Sequence, residues 1–463
     1  MNELSFPKGF LWGAATASYQ IEGGATEGGR GPSIWDTFAA TEGNVTDGAT
    51  GDVACDHYHR YGGDVALLSE LGLGAYRFSV AWPRVMPDGR TKSADGLAFY
   101  DRLVDELLRQ DIEPVLTLYH WDLPQAIEDA GGWPERDTAA RFADYAAVVH
   151  DTLGDRVKQW TTINEPFCAA FLGYGSGVHA PGIRDYDTAL VAAHHLLLGH
   201  GLAMKALTGQ ARPGQEFSLA LNFAPAIADG DTPAHAEAAR KWNAIHNRFF
   251  LDPVLGKGYP EDAMAAVEHH GGRFASSIRD GDLETIAAEI AWLGVNYYAP
   301  TRVTPLDDPL KSSNCPLPGL RGLDVLPAKA PLTAFGWEQT PSSLKDLLTW
   351  LDERTGGLPL VVAENGASFV DEISPDGRVR DADRVRYYHG HLAAVHEAIA
   401  AGADVRGYFA WSLLDNFEWA MGYSQRFGII HVDFETQQRR IKDSGYFLGE
   451  VAKSNSLDRD SHL

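Results

Sequence analysis

The chain has 463 residues, of which 44% are hydrophobic and 22% charged, a composition typical of a globular protein with a large core. Aspartate and glutamate outnumber lysine and arginine by 63 to 39, which gives a formal net charge of −24. This balance argues against nucleic acid or an anionic membrane as a partner, because both attract positive surfaces. We therefore predict that neither nucleic acid nor a membrane is a partner, while the net charge says little else about function.

Apolar runs typical of strands alternate with longer helical patterns along the chain, which indicates parallel β/α units. The predicted strands cover 9–18, 75–82, 114–121, 158–165, 216–224, 292–299, 359–365 and 405–413. The predicted helices cover 56–71, 97–110, 138–153, 186–207, 234–250, 342–354 and 383–401. Eight strands separated by helices favour one (β/α)8 TIM barrel domain over 1–463, with a doubly wound open sheet as the alternative.

Polar side chains decide between these two α/β folds. A barrel gathers its active site from the carboxyl ends of all its strands, whereas an open sheet concentrates it at one switch point. Here polar or aromatic residues stand at or just beyond nearly every predicted strand end: Gln20, Arg77, His120, Asn164, Glu165, Asn222, Asn296, Tyr298, Glu364, Trp411 and Glu418. This distribution favours the barrel.

Two long connections stand out: a Gly-rich segment over about 20–55, and a Pro-rich segment over 300–336 that shows no helical period. Long irregular loops in a compact domain are usually functional, so we predict that both are structureless and form the walls of a pocket.

The cysteines and the apolar segments indicate in which cellular compartment the protein is expected. Cys55, Cys168 and Cys315 form no CxxC pair, so neither a disulfide framework nor a zinc site is indicated. The first residues lack the basic and apolar pattern of a secretory signal. The apolar stretch 189–207 contains three histidines and a lysine, which favours a buried helix over a membrane span. We predict a cytoplasmic protein and leave open whether it forms a homo-oligomer.

Two predicted strands end in an Asn–Glu pair: Glu165 in WTTINEPF and Glu364 in PLVVAENG. A carboxylate at the end of an apolar strand is costly unless a neighbour compensates it. Paired carboxylates on separate strands suit cleavage of a glycosidic bond, whose transition state is a positively charged oxocarbenium ion. The alternative is that each glutamate makes a structural cap or ion pair.

Aromatic residues near strand ends and rim loops support a sugar ligand. A sugar ring packs its CH face against an aromatic plane, while its hydroxyls require amides and carboxylates. The aromatic candidates are Trp12, Trp121, Trp337, Trp411, Trp419 and Phe427.

The sequence as a whole resembles glycoside hydrolase family 1, the β-glucosidase family. The resemblance rests on FLWGAATASYQIEG (10–23), TINEP (162–166) and ENG (364–366). It is extended in order by GPSIWDTF, GDVACDHYHRY, YRFSVAWPR, YHWDLPQ, VNYY and WSLLDNFEWAMGYSQRFG, and it covers 6–453. The resemblance implies a TIM barrel and a retaining β-glucosidase that needs no cofactor or metal. Its substrates would be aryl or alkyl β-glucosides and cello-oligosaccharides, as in cellulose degradation.

The resemblance also implies roles for individual residues. Glu165 would be the general acid/base, and Glu364 the nucleophile, with Arg77, Asn296 and Tyr298 around it. The sugar would be bound by Gln20, His120, Trp121, Asn164, Trp411, Glu418, Trp419 and Phe427, while Trp337 would support the leaving group. We expect Arg77 to lower the pKa of Glu364, and the charge of Glu364 to raise the pKa of Glu165. A retaining pair predicts carboxylates about 5–5.5 Å apart.

Other functions remain as alternatives. Members of this family that act on 6-phosphosugars have a small hydroxyl residue at the position of Glu418, so a carboxylate there favours the unphosphorylated sugar. The sequence does not rank glucose against galactose or fucose. A metal-dependent barrel hydrolase is the rival enzyme class, because DHYH (56–59) contains an HxH pair, although this pair opens a predicted helix. A non-catalytic sugar-binding barrel, and a thioglucosidase, would each lack one of the two glutamates, and both are present.

Overall fold

The computed structural model describes residues 3–270, 272–308, 310–311 and 317–459, so Cys315 lies outside the described residues. Eight parallel strands form a closed barrel in which each strand pairs with the next and the last pairs with the first. They are β1 Leu11–Ala15, β2 Ala75–Ser79, β3 Glu113–Tyr119, β4 Gln159–Asn164, β5 Glu216–Phe223, β6 Leu293–Tyr297, β7 Leu360–Asn365 and β8 Val405–Trp411. The predicted barrel is confirmed, and the doubly wound sheet is excluded because an open sheet does not close on itself.

A helix follows each strand and covers the outside of the barrel. These helices are α1 His57–Leu71, α2 Ala94–Arg109, α3 Asp137–Leu153, α4 Tyr186–Thr208, α5 Pro233–Asn243, α6 Pro341–Thr355, α7 Ala382–Ala400 and α8 Asp443–Ser454. Seven of the eight were predicted, and α5 continues through a π-helical turn at Ala244–Arg248 into Phe249–Val254. Helix α8 was not predicted.

All of the predicted strands except the seventh extend too far at their carboxyl ends, where the chain leaves the barrel early. The first prediction ran to residue 18, but β1 ends at Ala15 and a helical turn begins at Ser18. The Ser18 amide donates to Ser79 Oγ at 2.7 Å, and the Ser18 hydroxyl donates to Asp122 Oδ2 at 2.6 Å. These bonds across neighbouring strand ends hold the turn that places Gln20 behind the site.

The prediction that the two long connections are structureless is wrong. Thr301–Pro305 and Leu323–Val325 join Ala226–Ala228 in a three-stranded sheet, which depends on pairing between distant segments. The Gly-rich segment contains the helix Ile34–Ala39 and the 3₁₀ turn Thr46–Gly48.

The remaining short elements connect or flank the barrel. The helical turns are Ser18–Ile21, Trp82–Val85, Gln125–Glu128, the π-helix Cys168–Ser176, Glu261–Val267, Arg273–Ser277, Asp282–Ile286 and the 3₁₀ turn Trp419–Met421. The paired strands are Glu3–Ser5 with Ser456–Asp458, and Ile430–Val432 with Arg439–Ile441.

Helix α4 is, within the described part of the chain, the one helix long and apolar enough to cross a membrane by length and composition. However, 83% of its apolar window is buried inside the protein. The buried histidine His194 bonds Asp282 Oδ2 at 2.9 Å, and His200 bonds the Thr162 hydroxyl at 2.7 Å. The helix is therefore part of the core, as predicted.

The two histidines of the HxH pattern at the start of α1 bond to different carboxylates. His57 bonds Asp64 Oδ2 at 2.8 Å, and Asp64 also accepts from Arg439. His59 is exposed and bonds Asp56 and Glu27. One imidazole therefore bonds a carboxylate in the interior and the other bonds carboxylates at the surface, as expected for ordinary helix residues.

Candidate active site

A cavity of about 500 Å³ opens at the carboxyl ends of the barrel strands. Eleven of the fourteen residues predicted for the site line it: His120, Trp121, Glu165, Asn296, Tyr298, Trp337, Glu364, Trp411, Glu418, Trp419 and Phe427. The other three, Gln20, Arg77 and Asn164, lie directly behind this lining and bond to it. The cavity therefore brings together side chains from most of the barrel's circumference.

The two glutamates enter the cavity at irregularities in the sheet. The pairing of β7 with β6 shifts register between Val362 and Glu364, and β4 shifts against β5 between Thr161 and Asn164. Such bulges are common beside active sites because they redirect side chains. Glu165 also has a positive φ of 47°, a conformation that non-glycine residues adopt at a cost and that occurs often at functional sites.

Asn365 and Gly366 fix the end of β7 behind Glu364. Asn365 Nδ2 donates to the Tyr297 carbonyl at 2.7 Å, and its Oδ1 accepts from the Tyr408 hydroxyl at 2.6 Å. A Cβ at Gly366 would collide with the Trp411 carbonyl oxygen, so only glycine allows β7 and β8 to approach this closely.

Glu364 is buried and bonded on both carboxylate oxygens. Arg77 Nη1 donates to Oε1 at 2.7 Å, and the Tyr298 hydroxyl donates to Oε2 at 2.7 Å. Burial raises the pKa of Glu364, and Arg77 and Tyr298 act in the opposite direction. Arg77 lowers this pKa as predicted, but the net shift is upward because burial outweighs the guanidinium.

A short chain of hydrogen bonds connects Glu364 to Glu165. Arg77 Nη2 donates to Asn164 Oδ1 at 2.6 Å, and Asn296 Nδ2 donates to the same oxygen at 3.0 Å. Asn296 Nδ2 also donates to Glu165 Oε1 at 2.7 Å, and its amide lies within hydrogen-bonding reach of Glu364. One amide therefore serves both carboxylates, which places them side by side.

The pKa of Glu165 lies well above its usual range. Burial is the largest cause, and the neighbouring charge of Glu364 raises the pKa further. Asn296, Cys168 and Arg77 oppose these effects. The pKa of Glu165 is therefore raised as predicted, although burial contributes more to this shift than the charge of Glu364. Because Glu364 alone has a guanidinium bonded to it, Glu364 is the member of the pair that ionises first.

Glu418 lies on the loop after β8 and faces both catalytic candidates. Gln20 Nε2 approaches Glu418 Oε2 at 3.4 Å, and the Trp411 indole also bonds this carboxyl group. Burial and the charges of Glu364 and Glu165 raise the pKa of Glu418 to about 8. The gathering of three carboxyl groups in one cavity therefore favours the protonated form of Glu418, which can donate as well as accept.

Polar atoms around the cavity that are buried and have no partner within the described protein include Gln20 Oε1, His120 Nδ1 and Asn296 Oδ1. The Asn164 amide donates to His120 Nε2 at 3.1 Å, so the His120 proton resides on Nδ1. Burial lowers the pKa of His120 far below its usual value, so the ring is neutral. Buried polar atoms without partners are rare, and their clustering here is what a site for a polyhydroxylated ligand requires.

Aromatic rings form two walls of the cavity. On one side Trp121 and Trp419 lie 4.5 Å apart between ring centroids, and the His120 ring stacks on Trp411 at 5.7 Å. On the other side the ring centroid of Trp337 lies 4.2 Å from that of Phe335 and 5.8 Å from that of Phe427.

Trp12 is not part of this site. Its indole donates to Asn455 at 2.9 Å, and its ring packs on Phe6 and Phe10 at the amino-terminal side of β1. The expectation failed because Trp12 lies inside the strand, two residues after Phe10, and not at its carboxyl end.

Only one of the two long connections that were predicted to form the cavity walls lines the cavity. Pro300, Thr301 and Phe335 line the cavity, as expected for 300–336. Residues 20–55, all of them described, contribute no lining residue. Trp35 from this segment instead supports Trp419 from behind, with ring centroids 4.6 Å apart.

Several lining residues were not among the predicted site residues: Cys168, Leu172, Val178, His179, Phe223 and His246. Cys168 could have been found, because it follows Glu165 by three residues and so lies one helical turn away. His179 and His246 lie in a loop and in a π-helical turn, where no strand end marks them.

Known proteins share this sequence and architecture. The glycosyl hydrolase family 1 model matches residues 2–457 of the chain. Beta-glucosidase A of Acetivibrio thermocellus is 44% identical over 99% of this chain and 100% of that protein. The bifunctional beta-D-glucosidase/beta-D-fucosidase of Bifidobacterium breve is 48% identical over 95% of this chain and 96% of that protein. The family 1 β-glucosidase of Thermotoga maritima, solved in complex with isofagomine lactam, matches with a TM-score of 0.92 and 40% identity, covering 98% of this chain and 100% of that chain. The chain belongs to glycosyl hydrolase family 1.

Proposed function

We propose that the protein is a retaining β-glucosidase, in which Glu364 is the nucleophile and Glu165 the general acid/base. The single observation that carries this proposal is the pair of buried carboxyl groups joined through Asn296, of which only Glu364 has a bonded arginine. The two carboxyl groups line one cavity and are connected through Arg77, Asn164 and Asn296, which suits the shorter separation of a retaining pair. The names of the similar proteins, and a bound sugar-like inhibitor in one of them, support the same activity.

The first step forms a covalent glucosyl ester. A carboxylate oxygen of Glu364 attacks the anomeric carbon while the bond from that carbon to the leaving oxygen breaks. The proton of Glu165 passes to the leaving oxygen, so the aglycone departs as an alcohol. The raised pKa of Glu165 keeps this proton available at neutral pH. The bonded guanidinium of Arg77 favours the ionised form of Glu364, which is the form that attacks.

The second step hydrolyses the ester. When Glu364 is esterified its charge is lost, so the pKa of Glu165 falls and Glu165 can accept a proton from water. That water attacks the anomeric carbon, the ester bond breaks, and Glu364 leaves as a carboxylate. Two displacements at one carbon return the β configuration.

The sugar ring would lie between the aromatic walls, with its hydroxyls on the polar atoms beneath. Gln20 Oε1 and Asn296 Oδ1 can accept, His120 Nδ1–H can donate, and protonated Glu418 can do both. Trp419 and Trp411 would contact the ring, and Trp337 would support the leaving group at the cavity mouth.

We expect an aryl β-glucoside to be preferred over the same glucoside carrying a 6-phosphate by about 100-fold or more in kcat/KM. The described lining residues include three carboxyl groups and no lysine or arginine, so a phosphate dianion has no cation to pair with. The panel should include cellobiose and the aryl β-fucoside and β-galactoside, because a β-fucosidase activity appears in the name of one relative. Comparable rates on the phosphorylated substrate would contradict our assignment of the sugar class.

Replacing Tyr298 with phenylalanine should move the acidic limb of the kcat/KM profile to higher pH. The Tyr298 hydroxyl stabilises the ionised form of Glu364, so its loss raises the pKa of the nucleophile and fewer molecules are active at low pH. The matched control is Tyr297→Phe, since that hydroxyl donates to the Thr340 carbonyl at 2.9 Å and not to a carboxylate. Equal acidic limbs in the two variants would show that Tyr298 does not act on Glu364.

A further inference from the structure

The thiol of Cys168 and the amide of Asn296 bond to opposite oxygens of the Glu165 carboxyl group. Its Sγ lies 3.1 Å from Glu165 Oε2, while Asn296 occupies Oε1 at 2.7 Å. The backbone fixes this arrangement, because the Cys168 amide donates to the Glu165 carbonyl at 3.0 Å and so closes one turn between the two residues. The thiol is 8% exposed and lines the cavity.

Given the proposed function, we infer that Cys168 is a positioning residue for proton transfer: its S–H bond to Oε2 of Glu165 orients the carboxyl group and stabilises its ionised form. With Asn296 donating to Oε1, Oε2 is the oxygen that carries the transferable proton. The thiol therefore contacts the oxygen whose protonation changes in both steps of the reaction.

The thiol acts as a donor because it stays protonated. Burial and the adjacent carboxyl groups of Glu165 and Glu364 raise the pKa of Cys168 above its usual value, so it holds its proton through neutral pH. A neutral S–H is a weak donor, whose effect on a buried carboxylate is small but directional.

Other groups around the cavity also influence the titration of Glu165, and they come from several strand ends and loops. They are Glu364 from β7, Arg77 from β2, Tyr298 after β6, Glu418 after β8, and the cavity-lining histidines His120, His179 and His246. Burial lowers the pKa of each of these histidines, so they are neutral in the working range. A substitution at Cys168 leaves all of these groups in place.

The test compares Cys168→Val with Cys168→Ser in the kcat/KM–pH profile for cellobiose, whose leaving group needs a proton. Valine removes the donor and fills its place, with its extra methyl group free to project into the cavity. We expect its basic limb to shift upward by about half a pH unit, because the ionised form of Glu165 loses a donor. Serine restores a donor, so its basic limb should lie at or below that of the wild type. The acidic limb, which reports Glu364, should be unchanged in both variants.

The control is Cys55→Ala, which removes the other described free cysteine. Cys55 is fully buried, donates to the Asp415 carbonyl at 3.0 Å and does not line the cavity. We expect its profile to match that of the wild type. An unshifted basic limb in Cys168→Val, or equal upward shifts in the valine and serine variants, would overturn the inference. If the valine variant does not fold, an upward shift of the basic limb in Cys168→Ser would also overturn the inference.

The Glu165→Gln variant separates this inference from the proposed function. If that variant keeps wild-type activity on cellobiose, Glu165 is not the acid and the proposed function itself fails. If it loses activity while the Cys168 variants keep the wild-type basic limb, only the role of Cys168 fails.

Discussion

Replacement of Glu364 by alanine should lower kcat for aryl β-glucosides by about 10⁴-fold or more. The substitution removes the atom that forms the covalent bond and leaves Arg77 without its anionic partner. The sugar-binding atoms of Gln20 and His120 are untouched, so the loss should appear in kcat more than in KM. Steady-state kinetics with a dinitrophenyl β-glucoside would measure it.

Rescue by a small anion distinguishes a missing nucleophile from a misfolded protein. Azide can enter the space left by the carboxylate and attack from the same face, so Glu364→Ala with azide should form the α-glucosyl azide. The matched control is Glu353→Ala, an exposed glutamate on α6 that should keep wild-type kinetics. Substantial turnover of Glu364→Ala without azide would rule out Glu364 as the nucleophile.

Replacement of Glu165 by alanine should affect substrates according to their leaving groups. For cellobiose, whose leaving alcohol needs a proton, we expect kcat/KM to fall by about 10³-fold. For a dinitrophenyl β-glucoside, whose phenolate leaves unaided, kcat/KM should change by less than about tenfold, because this parameter reports the first step. The second step still lacks its base, so the glucosyl ester should accumulate and give a burst of phenolate.

Azide again provides the control, with the opposite stereochemistry. It would attack the glucosyl ester from the face that Glu165 normally serves, so Glu165→Ala should yield the β-glucosyl azide and regain turnover. Equal losses of kcat/KM on cellobiose and on the dinitrophenyl glucoside would contradict the acid/base role of Glu165.

The fold was predictable because the barrel depends on local patterns. Buried parallel strands appear as apolar runs, and all eight were found. Most predicted boundaries were too long; after Ser79, for example, the chain remains apolar although it has left the sheet. The sheet formed by Thr301–Pro305 and its partners was missed because it depends on pairing between segments far apart in sequence. Local periodicity contains no information about such pairing.

The composition of the cavity was predictable at strand ends and poorly predictable elsewhere. Glu165 and Glu364 stand where apolar strands end, so their side chains had to meet at one face of the barrel. The protonation of Glu418 was not predictable, because it arises from burial beside two other carboxyl groups that only the folded chain brings together. Cys168 was missed although it was predictable, because its spacing of three residues from Glu165 places it one helical turn away.

The most direct test of the central claim is the configuration of the first product, observed by proton NMR immediately after the wild-type enzyme is added to an aryl β-glucoside. Double displacement between Glu165 and Glu364 predicts that β-glucose appears first and that the α anomer grows only later, by mutarotation. If α-glucose appears first, the reaction is a single displacement and Glu364 is not a covalent nucleophile.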